Sequence, residues 1–140
     1  MKKITEEWLK FAYTDLLSCE KIVDDKLLTN IVAFHSQQAI EKSFKAIIEE
    51  FELSFEKIHD LKKLFQIVKD YIKFDIDIEI LQDINKLYTD GRYPGELGLL
   101  PNGKPTINEA KRFYEFAKKI YENIKGTSIN SFLSRNKYNE

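Results

Sequence analysis

The chain has 140 residues, of which 43% are hydrophobic and 32% are charged, and its formal net charge is −1 at pH 7. This length suits one domain that buries its own core, and the balanced charge excludes the strongly basic field of a general duplex-binding protein. The single cysteine excludes a disulfide framework, and no apolar run is long enough for a membrane span, so we expect a cytoplasmic protein that does not enter a membrane.

The first predicted helix runs from Thr5 to about Asp24. Thr5 is a good N-cap residue, and the two acidic residues after it lie where the helix dipole favours negative charge. The apolar side chains of this segment repeat with helical spacing at Leu9, Ala12, Leu16, Cys19 and Val23. Because Cys19 lies on this stripe, we expect an unreactive buried thiol and not a nucleophile.

The second predicted helix, from residue 29 or 30 to about Phe51, has three different faces. One face is apolar, and Gln37 falls on it. Next to it is a stripe of small side chains, which lets another helix approach closely, either in the same bundle or in a second copy: Ser36, Ala39, Ser43 and Ala46. The third face is polar and carries His35, Gln38, Lys42 and Lys45, with Glu41 beside them. This polar face is therefore the main candidate for a binding site.

The third predicted helix opens near His59 or Asp60 and ends near Tyr71. A residue at such a helix start commonly makes a capping or loop-anchoring hydrogen bond, so we expect His59 and Asp60 to be structural anchors. The fourth helix begins near Asp75 or Asp77, where a short alternating segment gives way to helical spacing.

The fifth predicted helix begins sharply, because Thr106 and Glu109 form a capping box, and Gly126 is its expected C-cap. Five amphipathic helices with mostly short connections predict an all-α fold, an antiparallel up-and-down bundle of four to five helices. We expect the bundle to occupy residues 1–126 and a loosely ordered tail to occupy residues 127–140.

The connection between the fourth and fifth helices, residues 89–105, is long and contains all three prolines. Long loops in compact domains are uncommon and often functional. The loop carries Arg92, whose guanidinium can hold a carboxylate or a phosphate through two parallel hydrogen bonds. One interpretation is an internal ion pair that pins the loop to the bundle through Asp15 or Glu41.

In that interpretation Tyr93 and Pro94 fix the backbone of the loop and cover apolar surface. In the other interpretation Arg92 joins Lys42 and Lys45 in a small cluster that holds a phosphate. Ion-paired arginines that anchor loops are commoner than ligand-binding arginines, so the sequence favours the structural role, and the phosphate-binding role of Arg92 stays open.

Four short motifs in chain order resemble the small all-helical HEPN domains, named for higher-eukaryote and prokaryote nucleotide binding. They are Ala12-Tyr13-Thr14-Asp15-Leu16, the run Gln38-Ala39-Ile40-Glu41-Lys42-Ser43-Phe44-Lys45-Ala46, His59-Asp60-Leu61 and Arg92-Tyr93-Pro94. The resemblance covers about residues 5 to 125. It implies a module that binds a nucleotide or a protein partner, often a small nucleotidyltransferase in a toxin–antitoxin pair.

The ligand-binding residues that follow from this interpretation are His35, Gln38, Lys42, Lys45, Arg92 and Tyr93. The aromatic surplus and the small-residue stripe suit a homodimer. We expect no cofactor and no metal, because two histidines without a cysteine or carboxylate cluster give no metal-ligand spacing.

Two alternatives come from other functional classes. Many HEPN proteins that resemble toxins carry an arginine followed four to six residues later by a histidine, and cleave RNA across a dimer. Here both histidines precede all three arginines, Arg92, Arg112 and Arg135. The first alternative is therefore a metal-independent ribonuclease with an atypical site made of His35, His59 and Arg92. The second is a purely structural dimerisation domain.

Overall fold

The structure is a computed structural model that describes residues 1–53, 57–90 and 104–138. It contains five α-helices and one short 3-10 turn in chain order: α1 (Lys3–Ile22), α2 (Thr29–Glu50), α3 (Leu61–Val68), the turn (Lys69–Tyr71), α4 (Ile78–Asp90) and α5 (Ile107–Tyr138). The described part holds no β-strand, so the all-α prediction is confirmed. None of the helices in these ranges combines the length and the hydrophobicity that a membrane crossing requires.

Helix α2 is the centre of the bundle and contacts the other four helices. It runs antiparallel to α1, since Thr5 lies beside Glu50 at one end and Cys19 lies beside Val32 at the other. The small-residue stripe of α2 is fully buried inside the chain. The stripe therefore serves close packing within the bundle, which decides between the two uses expected for it.

The predicted apolar stripes form the core. The four stripe positions within α1 are buried, and the fifth, Val23 directly after its end, is partly buried. The apolar stripe of α5 is buried along its length. These α5 positions are Ala110, Phe113, Ala117, Ile120 and Ile124. Burial of this apolar surface is the main favourable contribution to folding, so the helical spacing predicted the core correctly.

Side-chain caps occur at three helix starts, of which those at Asp60 and Thr106 were expected from the sequence. Asp60 Oδ1 accepts hydrogen bonds from the backbone at the start of α3, and Asp77 does the same at the start of α4. The capping box of α5 is reciprocal: Thr106 Oγ1 accepts from the backbone of Glu109 at 3.1 Å, and the Thr106 backbone donates to Glu109 Oε1 at 2.9 Å. These side chains satisfy backbone N–H groups that have no partner inside the helix.

Two helix ends differ from the prediction. Thr5 is not an N-cap: α1 begins at Lys3, and the Thr5 hydroxyl donates to buried Glu50 Oε1 at 3.0 Å. A buried carboxylate needs donors, and this need outweighs the capping preference of threonine. Gly126 is not a C-cap, because α5 continues to Tyr138. Helices tolerate an internal glycine at a cost of about 1 kcal/mol. The division of the chain at residue 126 into bundle and tail stays a prediction.

Candidate functional site

The polar face of α2 lies beside α1 and the start of α3, and two buried carboxylates organise it. We call this face the α2 flank and define it by His35, Gln38, Glu41, Lys42 and Lys45. Asp15 reaches the flank from α1, and Glu41 belongs to α2 itself. Since acidic side chains are rarely buried without partners, each carboxylate is expected to bind several donors.

Asp15 binds two donors from α2 at once. Its Oδ1 lies 2.8 Å from His35 Nδ1, and its Oδ2 accepts from Lys42 Nζ at 2.7 Å. The side chains of His35 and Lys42 keep 27% and 23% of their surface exposed, whereas Asp15 is buried. The carboxylate therefore fixes the imidazole and the ammonium in place, while part of each donor still faces solvent.

Glu41 binds a second set of donors further along the flank. Lys45 Nζ donates to its Oε2 at 3.2 Å, and its Oε1 lies 3.3 Å from His59 Nδ1. The Lys45 ammonium also lies 5.3 Å from the centroid of the Trp8 ring, which attracts a cation through its π face. Lys45 is buried between these partners, so its geometry is that of a structural ion pair and not of an exposed ligand group.

Two glutamines connect the flank to the start of α3. Gln38 Nε2 donates to Gln37 Oε1 at 2.6 Å, and Gln37 Nε2 donates to the carbonyl oxygen of His59 at 3.4 Å. Beyond His59, Asn85 of α4 donates to the Asp60 carboxylate at 3.3 Å and accepts from the backbone of Leu61. His59 and Asp60 thus lie where α2, α3 and α4 meet.

The α2 flank is rich in hydrogen-bond donors, and together with Asp15 it has almost no net charge. With neutral histidines, the charges of Asp15 and Glu41 balance those of Lys42 and Lys45. Hydrogen bonds to charged groups are shorter and stronger than neutral ones, so the lysines are held firmly. No group of three or more His, Cys, Asp or Glu side chains that could hold a metal ion occurs in the described ranges.

Cys19 is buried next to the flank and is chemically shielded. Its thiol donates to the Val32 carbonyl oxygen at 3.5 Å. Burial, as the largest cause, raises the pKa of Cys19 from 9.0 to about 11, because the thiolate is poorly solvated there. The predicted burial of this thiol is therefore confirmed, and its low reactivity stays a prediction.

The predicted site residues fall into three groups. His35, Gln38 and Lys42 come together as partly exposed donors, whereas Lys45 lies inside its pair with Glu41. Asp15 and Glu41 both have cationic partners on α2. The third group, Arg92, Tyr93 and Pro94, lies outside the described residues, so the two interpretations of Arg92 stay predictions.

The pairing of each histidine with a buried carboxylate was not predicted from the sequence. A signal for Asp15 was present: it follows Ala12 by three residues and precedes Cys19 by four, which places a carboxylate on the apolar stripe of α1. A carboxylate in such a position needs a buried donor, and His35 is on the adjacent helix. Nothing in the local sequence indicated that Trp8 covers Lys45, because that contact depends on how α1 is rotated against α2.

Comparison with known proteins gives one family and one solved structure. The family model described as the HEPN domain matches residues 5–127. Among curated proteins none matches. The chain is also similar to a crystal structure described as that of ST0689, an archaeal HEPN homologue, with 25% sequence identity and a TM-score of 0.66. The match covers 91% of this chain and 99% of the other.

Proposed function

This chain belongs to the HEPN domain family, and on that premise we propose that it is a non-enzymatic binding module whose α2 flank takes a nucleotide through a phosphate group. Its protein partner in this proposal is a small nucleotidyltransferase in a toxin–antitoxin-like system, and the module works as a homodimer. The partner and the dimer rest on the resemblance and on the aromatic surplus.

One observation carries the proposal of a ligand site: the two donors that Asp15 fixes. The Asp15 carboxylate contacts Nδ1 of His35 and accepts one hydrogen bond from the Lys42 ammonium. The other imidazole nitrogen and the remaining ammonium hydrogens are not used by Asp15, and both side chains are partly exposed. Donors that are already fixed lose little conformational entropy when they bind a phosphate oxygen.

Because the α2 flank with Asp15 is nearly neutral, it limits the negative charge of a ligand that can bind tightly. One ammonium shared with a carboxylate is a modest phosphate site, so tight binding of several phosphates requires a further cation. Arg92 is the predicted source of that cation, and a bidentate guanidinium is well suited to a phosphate. We therefore expect Gln38, His35 and Lys42 to give orientation, and Arg92 to supply most of the added charge.

Calorimetric titration with a panel of purine and pyrimidine nucleotides tests the proposal. We expect saturable heat with at least one nucleotide, and an affinity lower by about tenfold or more in Lys42→Ala, which removes one charge-assisted hydrogen bond. Lys63→Ala, on an exposed position of α3, is the matched control and should bind normally. Heat that is absent throughout, or unchanged in Lys42→Ala while the melting temperature is retained, contradicts the proposal.

A second candidate function has one specific observation in its favour. The 2.8 Å contact between His35 Nδ1 and Asp15 is the arrangement in which a carboxylate orients an imidazole for proton transfer. A metal-independent ribonuclease would use His35 in that role, with His59 and Arg92 as the other atypical site residues. It predicts cleavage of RNA in the presence of a chelator, lost in His35→Ala but not in Lys63→Ala. Intact RNA after incubation with a diverse pool excludes this function.

A further inference from the structure

A groove of about 750 Å³ lies between α1 and α5, on a side of α1 that does not carry the α2 flank contacts. Six of the residues that line it are Glu6, Leu9, Lys10, Tyr13, Tyr121 and Lys125. Its volume lies in the range of small-molecule sites, which are mostly apolar with a few polar groups that fix the ligand. The groove is thus large enough for a ligand the size of a nucleobase or larger.

The floor of the groove is apolar and one wall is aromatic. Leu9 and Tyr121 are buried at its base. The ring centroids of Tyr13 and Tyr121 are 6.1 Å apart with an angle of 31° between the ring planes. Tyr13 is 49% exposed, so much of its ring surface is accessible. Aromatic rings prefer offset-stacked or edge-to-face partners, and an accessible ring beside an apolar floor suits a planar aromatic body.

The charges at the groove favour one negative charge on the ligand. Among the side chains that line the groove, Lys10 and Lys125 carry two positive charges and Glu6 carries one negative charge. The Lys125 ammonium lies 6.0 Å from the Tyr121 ring centroid, which holds it at the edge of the apolar floor. Burial, followed by the neighbouring Tyr13, raises the pKa of Tyr121, so its phenol stays neutral at physiological pH and does not oppose an anion.

We propose that the groove between α1 and α5 binds a small planar aromatic molecule that carries a single negative charge. The aromatic body lies on the Tyr13 ring and the Leu9 floor, and the anionic group lies next to Lys10 or Lys125. The site is separate from the α2 flank: Tyr13 and Asp15 are two positions apart on α1, which places them on different faces of the helix. This inference therefore does not depend on the proposed function.

Two matched dyes test the proposal on the full chain. The probe is 8-anilinonaphthalene-1-sulfonate, and N-phenyl-1-naphthylamine is its counterpart without the sulfonate. Fluorescence titration should give saturable binding of the sulfonate at one molecule per chain, with an affinity about tenfold or more above that of the uncharged dye. Tyr13→Ala and Lys125→Glu should each weaken sulfonate binding by about tenfold or more, because each removes one of the two recognition elements.

Two control variants report non-specific binding of the dye to exposed aromatic or charged side chains. Phe11→Ala removes another exposed aromatic ring of α1, and Lys118→Glu reverses an exposed charge of α5. Neither residue lines the groove, so both variants should bind the sulfonate dye normally. Equal binding of the two dyes, or equal losses in Phe11→Ala and Tyr13→Ala, overturns the proposal. Lys42→Ala should leave dye binding unchanged, which separates this result from a failure of the nucleotide proposal.

Discussion

Replacing Lys45 with methionine should lower the free energy of unfolding by about 3 kcal/mol or more, since removing one partner of a buried ion pair leaves the other charge uncompensated. Lys45 and Glu41 have only 10% and 5% of their side-chain surface exposed and are 3.2 Å apart. Methionine keeps the length and the apolar stem of lysine, so packing against Trp8 is largely preserved. The loss therefore reports the cost of a buried Glu41 carboxylate whose other donors are His59 and Gln37.

Urea unfolding of three variants measures this loss. Lys111→Met is the matched control, because the Lys111–Asp24 pair has a similar 3.0 Å distance but side chains that are 48% and 82% exposed. We expect it to change stability by less than about 0.5 kcal/mol, as is usual for surface pairs. The double variant Glu41→Leu with Lys45→Met should regain most of the lost stability, since neither charge remains buried. Equal losses of stability in Lys45→Met and Lys111→Met would show that burial does not increase the contribution of the Lys45–Glu41 pair to the free energy of unfolding.

Lys42 and Lys45 lie on one face of α2 in the sequence pattern, but their different burial assigns them different roles. Lys45 is enclosed by Glu41 and Trp8, whereas Lys42 is partly exposed beside Asp15. We therefore expect Lys45 variants to change stability first and Lys42 variants to change ligand affinity first. If the Lys45 ammonium binds the nucleotide instead, Lys45 variants should lower ligand affinity more than Lys42 variants do.

The helical core was predictable because burial on α1, α2 and α5 follows a simple period in the sequence. The caps at Asp60, Asp77 and Thr106 were predictable for a similar reason, since capping depends on residues within one turn. The prediction was wrong at Thr5, where a contact with Glu50, forty-five positions away in sequence, decides the geometry. It was also wrong at Gly126, because glycine permits a helix end without requiring one.

The candidate site was predictable in its location but not in its pairings. The stacking of His35, Gln38 and Lys42 on one face follows from the helical period. The buried acceptor that holds two of these side chains comes from α1, and the rotation of α1 against α2 cannot be read from either helix alone. The groove at Tyr13 and Tyr121 could not be predicted for the same reason, because its two walls belong to helices that are far apart in sequence.

Cys19 should react with iodoacetamide about a hundredfold more slowly in the native chain than in urea, because the thiolate is the nucleophile. Burial raises the pKa of Cys19 from 9.0 to about 11, so at about pH 8 the thiolate fraction falls by roughly that factor. Mass spectrometry of the alkylated chain measures both rates. Leu16→Ala, which removes packing one turn away, should speed the native reaction by favouring local opening. Similar rates in the native and unfolded chains would show that the thiol is accessible.

The same pKa predicts how stability changes in alkali. The folded state holds the Cys19 proton more tightly than the unfolded state, so burial of the neutral thiol stabilises the fold fully below pH 9.0. This contribution is lost as the pH rises from 9.0 towards about 11. Burial also raises the pKa of Tyr114 and of Tyr121, which gives the same direction of change. Urea unfolding at increasing pH should show a decline that is smaller in Cys19→Ala, whereas an identical decline would assign it to the tyrosines alone.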